Sequence, residues 1–436
     1  MSSQTVSTKL QKIATLASYH PKLTLTTLIH HIDMDWLVEA FRRTRKSAAA
    51  GIDGQSAEDY AQNLEENLSN LLQRVKAGRY RAPAVRRTYI DKDGGKQKRP
   101  LGIPTVEDKV LQRAVVMILN EVYEQDFYDC SYGYRPKHSS HQALKSLRDQ
   151  LHVNKGGYVI QLDISSFFDE MDHNQLKEMI SKRVRDGAIL RLIGKWLKAG
   201  VMEGTQLTRN TSGSPQGGVV SPVLANVYLH YVLDEWFHQD VMPRLKGKAF
   251  MVRYADDAVL SFTNREDAER VLKVLPNRFE RFGLRLHPDK TMLTNFCRPA
   301  YDETQNVTPP GTVKFLGLEH YWAKSLRDYW VVKQKTEKKR FRNSLRKIKD
   351  YCKKNRHKPL EEQHHDLCLK MKGHYSYYGV TGNNRALDSF YNQCLLIWKK
   401  WLGRRNNLGM EWYRYKRLLR RYRLPMPIIV HSVYRT

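Results

Sequence analysis

Apolar side chains recur along much of the chain at the spacing of one helix face. Between residues 64 and 75, five Leu and Val residues repeat every three or four positions, and Gly78 can terminate the helix that they predict. The segment 106–127 has the same period over a longer stretch. This pattern predicts two helices in the first third of the chain.

Shorter apolar runs that end at turn residues predict strands. Residues 86–104 contain two such runs around a turn at 93–95, and the second run carries several Lys and Arg residues. Residues 157–163, "GYVIQLD", predict a buried strand that ends at Asp163, before a turn and a helix. Two further strand-like pieces lie at 283–291 and 313–322.

The segment 250–262, "FMVRYADDAVLSF", places two adjacent carboxylates between two strand-forming runs. It predicts a β-hairpin with Asp256 and Asp257 at its tip, although an isolated Asp pair is usually an ordinary surface turn. Asp163 offers a third carboxylate from the end of another strand. Because adjacent like charges repel and hard divalent cations bind oxygen ligands, the three residues predict a Mg²⁺ site.

The second half of the chain changes character twice. A loop rich in Gly and Pro at 213–218 precedes an apolar helix that we expect to begin near Ser221-Pro222, and backbone without a Cβ can approach a ligand closely. After about Lys333, the pattern predicts long basic helices that contain Tyr and Trp.

Charge is distributed unevenly over the 436 residues. The chain has 74 Lys and Arg against 45 Asp and Glu, a net charge of +29. From Val331 to the C-terminus there are 27 Lys and Arg and 7 Asp and Glu, so +20 of the excess lies in this last quarter. This asymmetry favours a C-terminal region that faces nucleic acid over a merely soluble basic surface.

The cysteine content and the absence of long apolar runs indicate the cellular compartment of the protein. Five scattered cysteines indicate a reducing environment, and the irregular spacing between Cys352 and His374 disfavours a zinc site. No apolar run is long enough to span a membrane, and the first 32 residues lack Arg and a secretory core. We therefore expect a bacterial cytoplasmic protein, associated with the nucleoid or with a ribonucleoprotein and not with a membrane.

Five ordered segments carry a resemblance to a known family. They are KRPLGIPTVEDKVLQ (98–112), SYGYRPKHSSHQAL (131–144), QLDISSFFD (161–169), SPQGGVVSPVLANVYL (214–229) and YADD (254–257). In their order and spacing, from about Gly51 onward, the chain resembles the group II intron-encoded reverse transcriptase (maturase) family, in the form without an HNH endonuclease domain.

The resemblance implies an α+β right-hand polymerase fold. Fingers and palm, with an antiparallel sheet that carries the YADD hairpin, precede an α-helical thumb/maturase (X) domain. The implied bounds are an N-terminal extension at 1–50, fingers and palm at 51–325, and the thumb/maturase domain at 326–436, with at most a short DNA-binding tail.

The implied function is an RNA-dependent DNA polymerase of a group II intron that binds intron RNA and assists its splicing and mobility. Two Mg²⁺ ions, with Mn²⁺ as a substitute, support transfer of a nucleotide from dNTP to a primer 3′-hydroxyl. The implied partners are intron RNA, an RNA template and a DNA primer or target, and the protein is a monomer or a homodimer.

Two alternatives to this function stay open. One is a domesticated enzyme of the same chemistry that serves defence, spacer acquisition or repair. The other is an RNA-binding splicing cofactor with a vestigial polymerase, which the intact Asp163, Asp256 and Asp257 disfavour. An RNA replicase is disfavoured by Phe168.

The resemblance also implies roles for single residues in catalysis. Asp163 and Asp256 become the principal metal ligands, with Asp257 beside them, and Lys290 becomes the group that protonates pyrophosphate. The dNTP-binding residues are Lys92, Arg99, Phe168 and Gln216: the two cations grip the triphosphate, Phe168 rejects a 2′-hydroxyl and Gln216 lines the nucleotide pocket. The alternative interpretations are a core position for Phe168 and a solvated surface position for Lys92, Arg99 and Lys290.

Further residues are implied in nucleic-acid binding. Phe315, Leu316 and Gly317 resemble the primer grip. The RNA-binding candidates in the last helices are Lys399, Lys400, Arg404 and Arg405. Aromatic residues beside them suit base stacking, but aromatics at helical spacing are more often core; they are Trp398, Trp401, Tyr413 and Tyr415.

Overall fold

The computed structural model describes residues 2–20, 23–92, 97–204, 206–208, 217–299, 310–405 and 409–432. The chain divides into two compact units, and it passes between them several times. Unit 1 comprises Met1–Ala143, Leu162–Leu260 and Glu266–Met292. Unit 2 comprises Leu144–Gln161, Ser261–Arg265 and Leu293–Thr436.

Both units contain helices and strands. The helices are α1 (Ser2–Tyr19), α2 (Met34–Arg43), α3 (Ala57–Gln62), α4 (Leu64–Lys76), α5 (Val106–Tyr123), α6 (Ser140–Val153), α7 (Phe167–Glu170), α8 (His173–Ser181), α9 (Gly187–Leu197), α10 (Ser221–Leu229), α11 (Arg265–Glu280), α12 (Lys338–Lys354), α13 (Leu360–Tyr378), α14 (Asn384–Gly403) and α15 (Trp412–Arg421). The strands are β1 (Val85–Lys92), β2 (Gln97–Ile103), β3 (Tyr158–Leu162), β4 (Ile164–Ser165), β5 (Val201–Glu203), β6 (Gln206–Thr208), β7 (Ala249–Tyr254), β8 (Asp257–Phe262), β9 (Arg285–Leu286), β10 (Met292–Asn295), β11 (Val313–Phe315), β12 (Leu318–Lys324) and β13 (Trp330–Thr336).

The predicted basic hairpin of unit 1 is confirmed. Strands β1 and β2 pair antiparallel, with Ile90 opposite Arg99, and the sheet continues in the order β2-β1-β5-β6. The predicted turn at 93–95 lies outside the described residues. Mixed helices and antiparallel sheets confirm the predicted α+β class.

Helix α5 forms the centre of unit 1. It confirms the helix predicted at 106–127, and its N-terminus is capped by Thr105, whose hydroxyl accepts the Asp108 backbone N–H at 3.2 Å. Helix α5 is buried along most of its length, and α1 and α2 pack against it. The Trp36 indole donates to the carbonyl oxygen of Ala114 at 3.0 Å. The first 50 residues, predicted as an extension, are thus packed into unit 1.

Unit 2 combines a meander with a helical bundle. Strands β11, β12 and β13 form an antiparallel sheet, with Leu318 opposite Thr336, and α12 to α15 follow it. The bundle core is rich in aromatic and aliphatic side chains, including Phe390, Trp398 and Tyr415. The basic helices predicted after Lys333 are confirmed, whereas the functional bounds 51–325 and 326–436 stay a prediction.

None of the helices in the described part of the chain is both long and apolar enough to cross a lipid bilayer.

Candidate active site

The paired carboxylates of "YADD" lie at the connection between β7 and β8, as predicted. Strand β7 ends at Tyr254 and β8 begins at Asp257, so Ala255 and Asp256 form the turn. Ala255 has φ of 56°, in the left-handed region that non-glycine residues seldom adopt. Such a conformation persists only where surrounding contacts impose it.

One set of these contacts comes from the segment before α6. The backbone N–H of Arg253 donates to Cys130 at 2.7 Å, and the N–H of Tyr132 donates to the Arg253 carbonyl at 2.9 Å. Gly133 lies against the turn so closely that a Cβ would be 2.2 Å from the Ala255 nitrogen. Only glycine therefore fits at position 133, and the segment before α6 packs directly against the turn and supports its conformation.

A buried arginine supplies the other contacts. The Arg253 side chain is fully buried and pairs with the equally buried Asp234, with Nε 2.7 Å from Oδ1. Its Nη1 donates to the carbonyl oxygen of Ala255 at 3.0 Å and to Asn226 Oδ1 at 3.1 Å, and the Asn226 amide donates to Gly133 at 2.6 Å. This network, which we call the Arg253 clamp, ties the turn to α10 and to the π-helical turn after it, His230–Asp234.

The members of the Arg253 clamp are not among the site residues predicted from the sequence. The available signal was one charged residue within the apolar run "FMVRYA", where an ion usually requires a buried partner. Its partners Asp234 and Asn226 are 19 and 27 residues away, and no periodicity marks them.

Asp163 directly follows β3, as the sequence predicted, and its backbone is anchored in unit 1. Its carbonyl oxygen accepts the His287 backbone N–H at 2.8 Å, and β4 and β9 pair just beyond it. The Lys290 ammonium lies 2.9 Å from Asp163 Oδ2, with the lysine side chain 53% exposed. The structure thus brings together two of the residues chosen for catalysis, which are 127 positions apart in the sequence.

Asp163 and Asp256 share one electrostatic environment. Burial raises the pKa of the Asp256 carboxyl above its ordinary value, and the negative charge of Asp163 raises it further. The positive charges of Arg99 and Arg253 lower the same pKa. A divalent cation beside the Asp256 carboxylate would offset the negative charge of Asp163 that acts on it.

Asp257 differs from its neighbour. It is exposed at the start of β8, whereas Asp256 is half-buried in the turn before this strand. Within the described residues, no group of three or more His, Cys, Asp or Glu side chains is arranged to hold a metal ion. The carboxylate set Asp163, Asp256 and Asp257 therefore stays a prediction, with Asp163 and Asp256 as its electrostatically coupled pair.

Phe168 lies in a short turn of helix after Asp163. Ser166, with φ of 43°, reverses the chain before α7. Phe167 is buried and packs edge-to-face on Phe168 and Tyr228, at centroid distances of 5.4 and 6.2 Å. Phe168 is only half-buried. The core position thus belongs to Phe167, and the ring of Phe168 retains a face that a ligand can contact.

The predicted dNTP-binding residues differ in how much of each the structure describes. Arg99 is exposed on β2, and its charge acts on Asp256. Lys92 pairs with Gln97 through the backbone at the end of β1, and its side chain is outside the described part. Gln216 lies outside the described residues altogether. The adjoining Gly217 has φ of 116°, and a Cβ there would meet the Gly102 carbonyl oxygen at 2.6 Å.

Comparison with known proteins decides the family. The family described as "Reverse transcriptase (RNA-dependent DNA polymerase)" matches residues 90–320. The chain belongs to this family. It is an RNA-directed DNA polymerase, and its substrates are RNA and DNA. Reverse transcriptases generally require divalent metal ions such as Mg²⁺.

Relatives narrow the family to the group II intron type, as predicted. Protein YkfC of Escherichia coli K12 is 33% identical over 323 residues, which cover 65% of this chain and 83% of YkfC. The group II intron-encoded protein LtrA of Lactococcus lactis is 41% identical over 186 residues, covering 42% of this chain and 30% of LtrA. An uncharacterized 91 kDa protein in the cob intron of Schizosaccharomyces pombe is 30% identical over 238 residues, covering 54% of this chain and 29% of that protein.

The predicted primer grip of the reverse transcriptase lies in unit 2. Leu316 and Gly317, with φ of 49° and 78°, form the turn between β11 and β12, and Phe315 is buried. The Tyr377 hydroxyl donates to the Leu316 carbonyl at 2.9 Å, which holds this turn against α13. The role in primer binding stays a prediction.

The predicted RNA-binding residues lie at the end of α14 and just beyond it. Lys400 and Arg404 are exposed, whereas Lys399 and Arg405 are half-buried. The Lys399 ammonium lies 4.6 Å from the Trp412 ring centroid, the Arg404 guanidinium lies 5.0 Å from that of Trp401, and Arg405 donates to the Lys358 carbonyl at 3.2 Å. These aromatic contacts hold the cations near the surface.

The neighbouring aromatic residues divide into two classes. Trp398, Trp401 and Tyr415 are buried in the bundle core, which confirms the core interpretation for these three and removes them as stacking platforms. Tyr413 is 64% exposed and Trp412 51% exposed. Base stacking on this reverse transcriptase is therefore open to Trp412 and Tyr413 alone among these five residues.

Proposed function

We propose that this group II intron-type reverse transcriptase extends a DNA primer by two-metal nucleotidyl transfer at Asp163 and Asp256, with Asp257 beside them. The observation that carries the proposal is the placement of Asp163 directly after β3 and of Asp256 in the turn between β7 and β8, where the negative charge of Asp163 raises the pKa of the Asp256 carboxyl. When bound, two Mg²⁺ ions, or Mn²⁺ in their place, supply the positive charge that activates the primer 3′-hydroxyl and stabilises the leaving pyrophosphate.

The other residues of the site then position the substrate. Arg99, whose charge already acts on Asp256, contacts the triphosphate, together with Lys92 and Gln216. Lys290, whose ammonium lies 2.9 Å from Asp163 Oδ2, would protonate the departing pyrophosphate. Phe168 packs against the sugar and leaves no space for a 2′-hydroxyl.

Replacing Phe168 with Val should raise ribonucleotide use, because the proposed discrimination is steric. We expect the ratio of kcat/KM for dNTP over rNTP to fall by roughly 10- to 200-fold, the range that 1–3 kcal/mol of pocket contacts supplies. Primer extension with single nucleotides measures this ratio. Phe168→Tyr, which keeps the ring, is the matched control, and an unchanged ratio in Phe168→Val would reassign Phe168 to core packing.

We further propose that residues 326–436, which form the C-terminal part of unit 2, serve as thumb and maturase domain and bind the intron RNA that encodes the enzyme. Its support is the net charge of +20 after Val331, together with the exposed cations and aromatics near the end of α14 and the start of α15. Bound RNA would gain from counterion release and from protein cations that replace part of the Mg²⁺ between close-packed phosphates. Relatives named for introns support the same assignment.

Neutralising Lys399, Lys400, Arg404 and Arg405 to Gln should weaken splicing assistance far more than primer extension. We expect the slope of log affinity against log salt for intron RNA to become less steep by about 3, since each lost phosphate contact removes roughly 0.7–0.9. The measurement is intron splicing at a Mg²⁺ concentration where the RNA alone is inactive, beside extension of a short preannealed primer-template.

The catalytic-site variant Asp256→Ala is the matched control for this experiment. It should assist splicing normally, because the intron RNA performs the splicing chemistry itself. Normal splicing by the basic-cluster variant, or lost splicing in a folded Asp256→Ala protein, would contradict the maturase role. A domesticated polymerase would then be the better account.

A further inference from the structure

Unit 1 contains a cleft that shares no lining residue with the carboxylate site. It has a volume of about 1150 Å³, and its walls are the loop 78–82, helix α8 and helix α9. We call it the α8–α9 cleft. Small-molecule sites generally measure about 300–1000 Å³, so this cleft is large for a single nucleotide.

The charge of the α8–α9 cleft is of one sign. Five exposed cations line it, Arg79, Arg81, Lys177, Arg191 and Lys198, and no acidic residue lines it. Within the described part of the chain, none of the five side chains forms an ion pair or a hydrogen bond. Converging cations without a carboxylate repel one another, and a polyanion in the cleft relieves that repulsion.

The cleft is preorganised. The Lys195 ammonium, on α9, donates to the carbonyl oxygens of Gly78 and Tyr80, which fixes the loop that carries Arg79 and Arg81. The Tyr80 hydroxyl and the Trp196 indole both donate to the buried carboxylate of Asp108. These hydrogen bonds therefore hold the loop and α9 together, along with the cations that they carry. A ligand that binds in the cleft would not have to order the loop.

A glycine on α9 supports the presence of a ligand independently of charge. Gly194 lies within the helix, three residues after Arg191 and four before Lys198, on the side that lines the cleft. Glycine destabilises a helix interior relative to alanine. A Cβ at Gly194 would meet nothing within 4 Å, so packing in the described structure does not require glycine. Its absence of a side chain leaves room for a backbone to approach α9.

We propose that the α8–α9 cleft binds the phosphate backbone of an RNA strand. Cations on three elements match a chain of phosphates, and the lining offers no exposed Phe, Tyr or Trp, since Tyr80 is buried. Bases would thus remain unread and the contact would be independent of sequence. An acidic peptide would satisfy the same charges, but RNA is the polyanion on which a reverse transcriptase acts.

The RNA can come from two sources, the template strand ahead of the active site or a structured RNA such as the intron. Both present the same phosphates. The inference rests on the family and on the cleft, and does not require the proposed splicing role, so a failure of either leaves the other intact.

The test removes one cation from each wall of the cleft in the full-length protein, with Arg79→Gln, Lys177→Gln and Arg191→Gln combined. Two probes distinguish the sources: a primer-template with a long single-stranded RNA overhang, and a structured intron RNA without primer. For at least one probe, we expect affinity to fall roughly tenfold at moderate salt and the salt slope to become less steep by about 2, near 0.7 for each contact.

A charge-matched variant, with Lys12→Gln, Arg45→Gln and Lys273→Gln, removes three exposed cations elsewhere in unit 1 and should change both quantities much less. Gly194→Gln should weaken binding to the same probe without lowering the melting temperature, because it blocks the approach to α9 while removing a helix-disfavouring glycine. If the cleft variant loses affinity for the overhang probe, the ligand of the cleft is the template strand. If it loses affinity for the intron RNA, the ligand is a structured RNA.

Three results obtained with the variants would overturn the inference. In the first, the cleft variant binds both probes with wild-type affinity and wild-type salt slope. In the second, the charge-matched variant loses as much affinity as the cleft variant. In the third, Gly194→Gln binds RNA as well as the wild type does. Stronger competition by polyglutamate than by RNA of equal charge would point instead to an acidic protein partner, and would also reject RNA as the ligand.

Discussion

Asp163→Ala and Asp256→Ala are each expected to reduce Mg²⁺-dependent cDNA synthesis by at least about 1000-fold. Metal-held charge supplies several kcal/mol of transition-state stabilisation, and about 4 kcal/mol corresponds to three orders of magnitude in rate. Affinity for RNA should remain nearly unchanged, because the basic surfaces and not the carboxylates attract phosphates. Primer extension on an RNA template, compared with filter binding of the same RNA, measures both quantities.

The activities of Asp257→Ala and Lys290→Gln should be compared with those of Asp163→Ala and Asp256→Ala. Asp257 is exposed at the start of β8, and Lys290 pairs with Asp163 without being a metal ligand, so each should lose less activity than the two coupled carboxylates. Residual extension within tenfold of wild type in either Asp163→Ala or Asp256→Ala would end the assignment of the catalytic pair.

Arg253→Met is expected to destabilise unit 1 by about 3–5 kcal/mol, since it leaves the fully buried Asp234 without its partner. It should also abolish most polymerase activity, because the carbonyl of Ala255 loses its hydrogen bond beside Asp256. Thermal unfolding measures the first effect and primer extension the second.

The double variant Arg253→Met with Asp234→Leu separates positioning from stability. Removing both charges should restore much of the stability, because buried ion pairs are often replaceable by apolar residues. It leaves Ala255 and Asn226 without the guanidinium that joins them, so extension should remain far below wild type at a temperature where the protein is folded. Wild-type extension by the double variant would show that Arg253 does not position the turn.

Local patterns determined the elements that carry the site. The helical period at 64–75 and 106–127 corresponds to α4 and α5, and the apolar runs on either side of "ADD" correspond to β7 and β8. These are features of neighbouring residues, whose side-chain spacing and turn chemistry constrain the backbone directly. The choice of Asp163 and Asp256 was also accessible, because charged residues at the ends of apolar strands stand out in the sequence.

Only the tertiary structure decided which side of a local pattern faces the core. Phe167 and Phe168 are adjacent, and the sequence alternatives placed Phe168 in the core or at the sugar; packing against Tyr228 buries Phe167 instead. Trp398 and Trp401 likewise lie in a basic helical segment, yet both are buried. Burial depends on the elements that cover a side chain, and those lie far away in sequence.

Long-range partners were inaccessible to the sequence for the same reason. The pairing of Lys290 with Asp163 spans 127 residues, and the pairing of Arg253 with Asp234 depends on a π-helical turn after α10. The α8–α9 cleft requires a loop, two helices and the lysine that joins them. The sequence by itself thus determined the family, the local elements and the choice of Asp163 and Asp256 as predicted metal ligands. The contacts that hold the turn around Asp256, and the cations that line the α8–α9 cleft, come together only when distant segments pack.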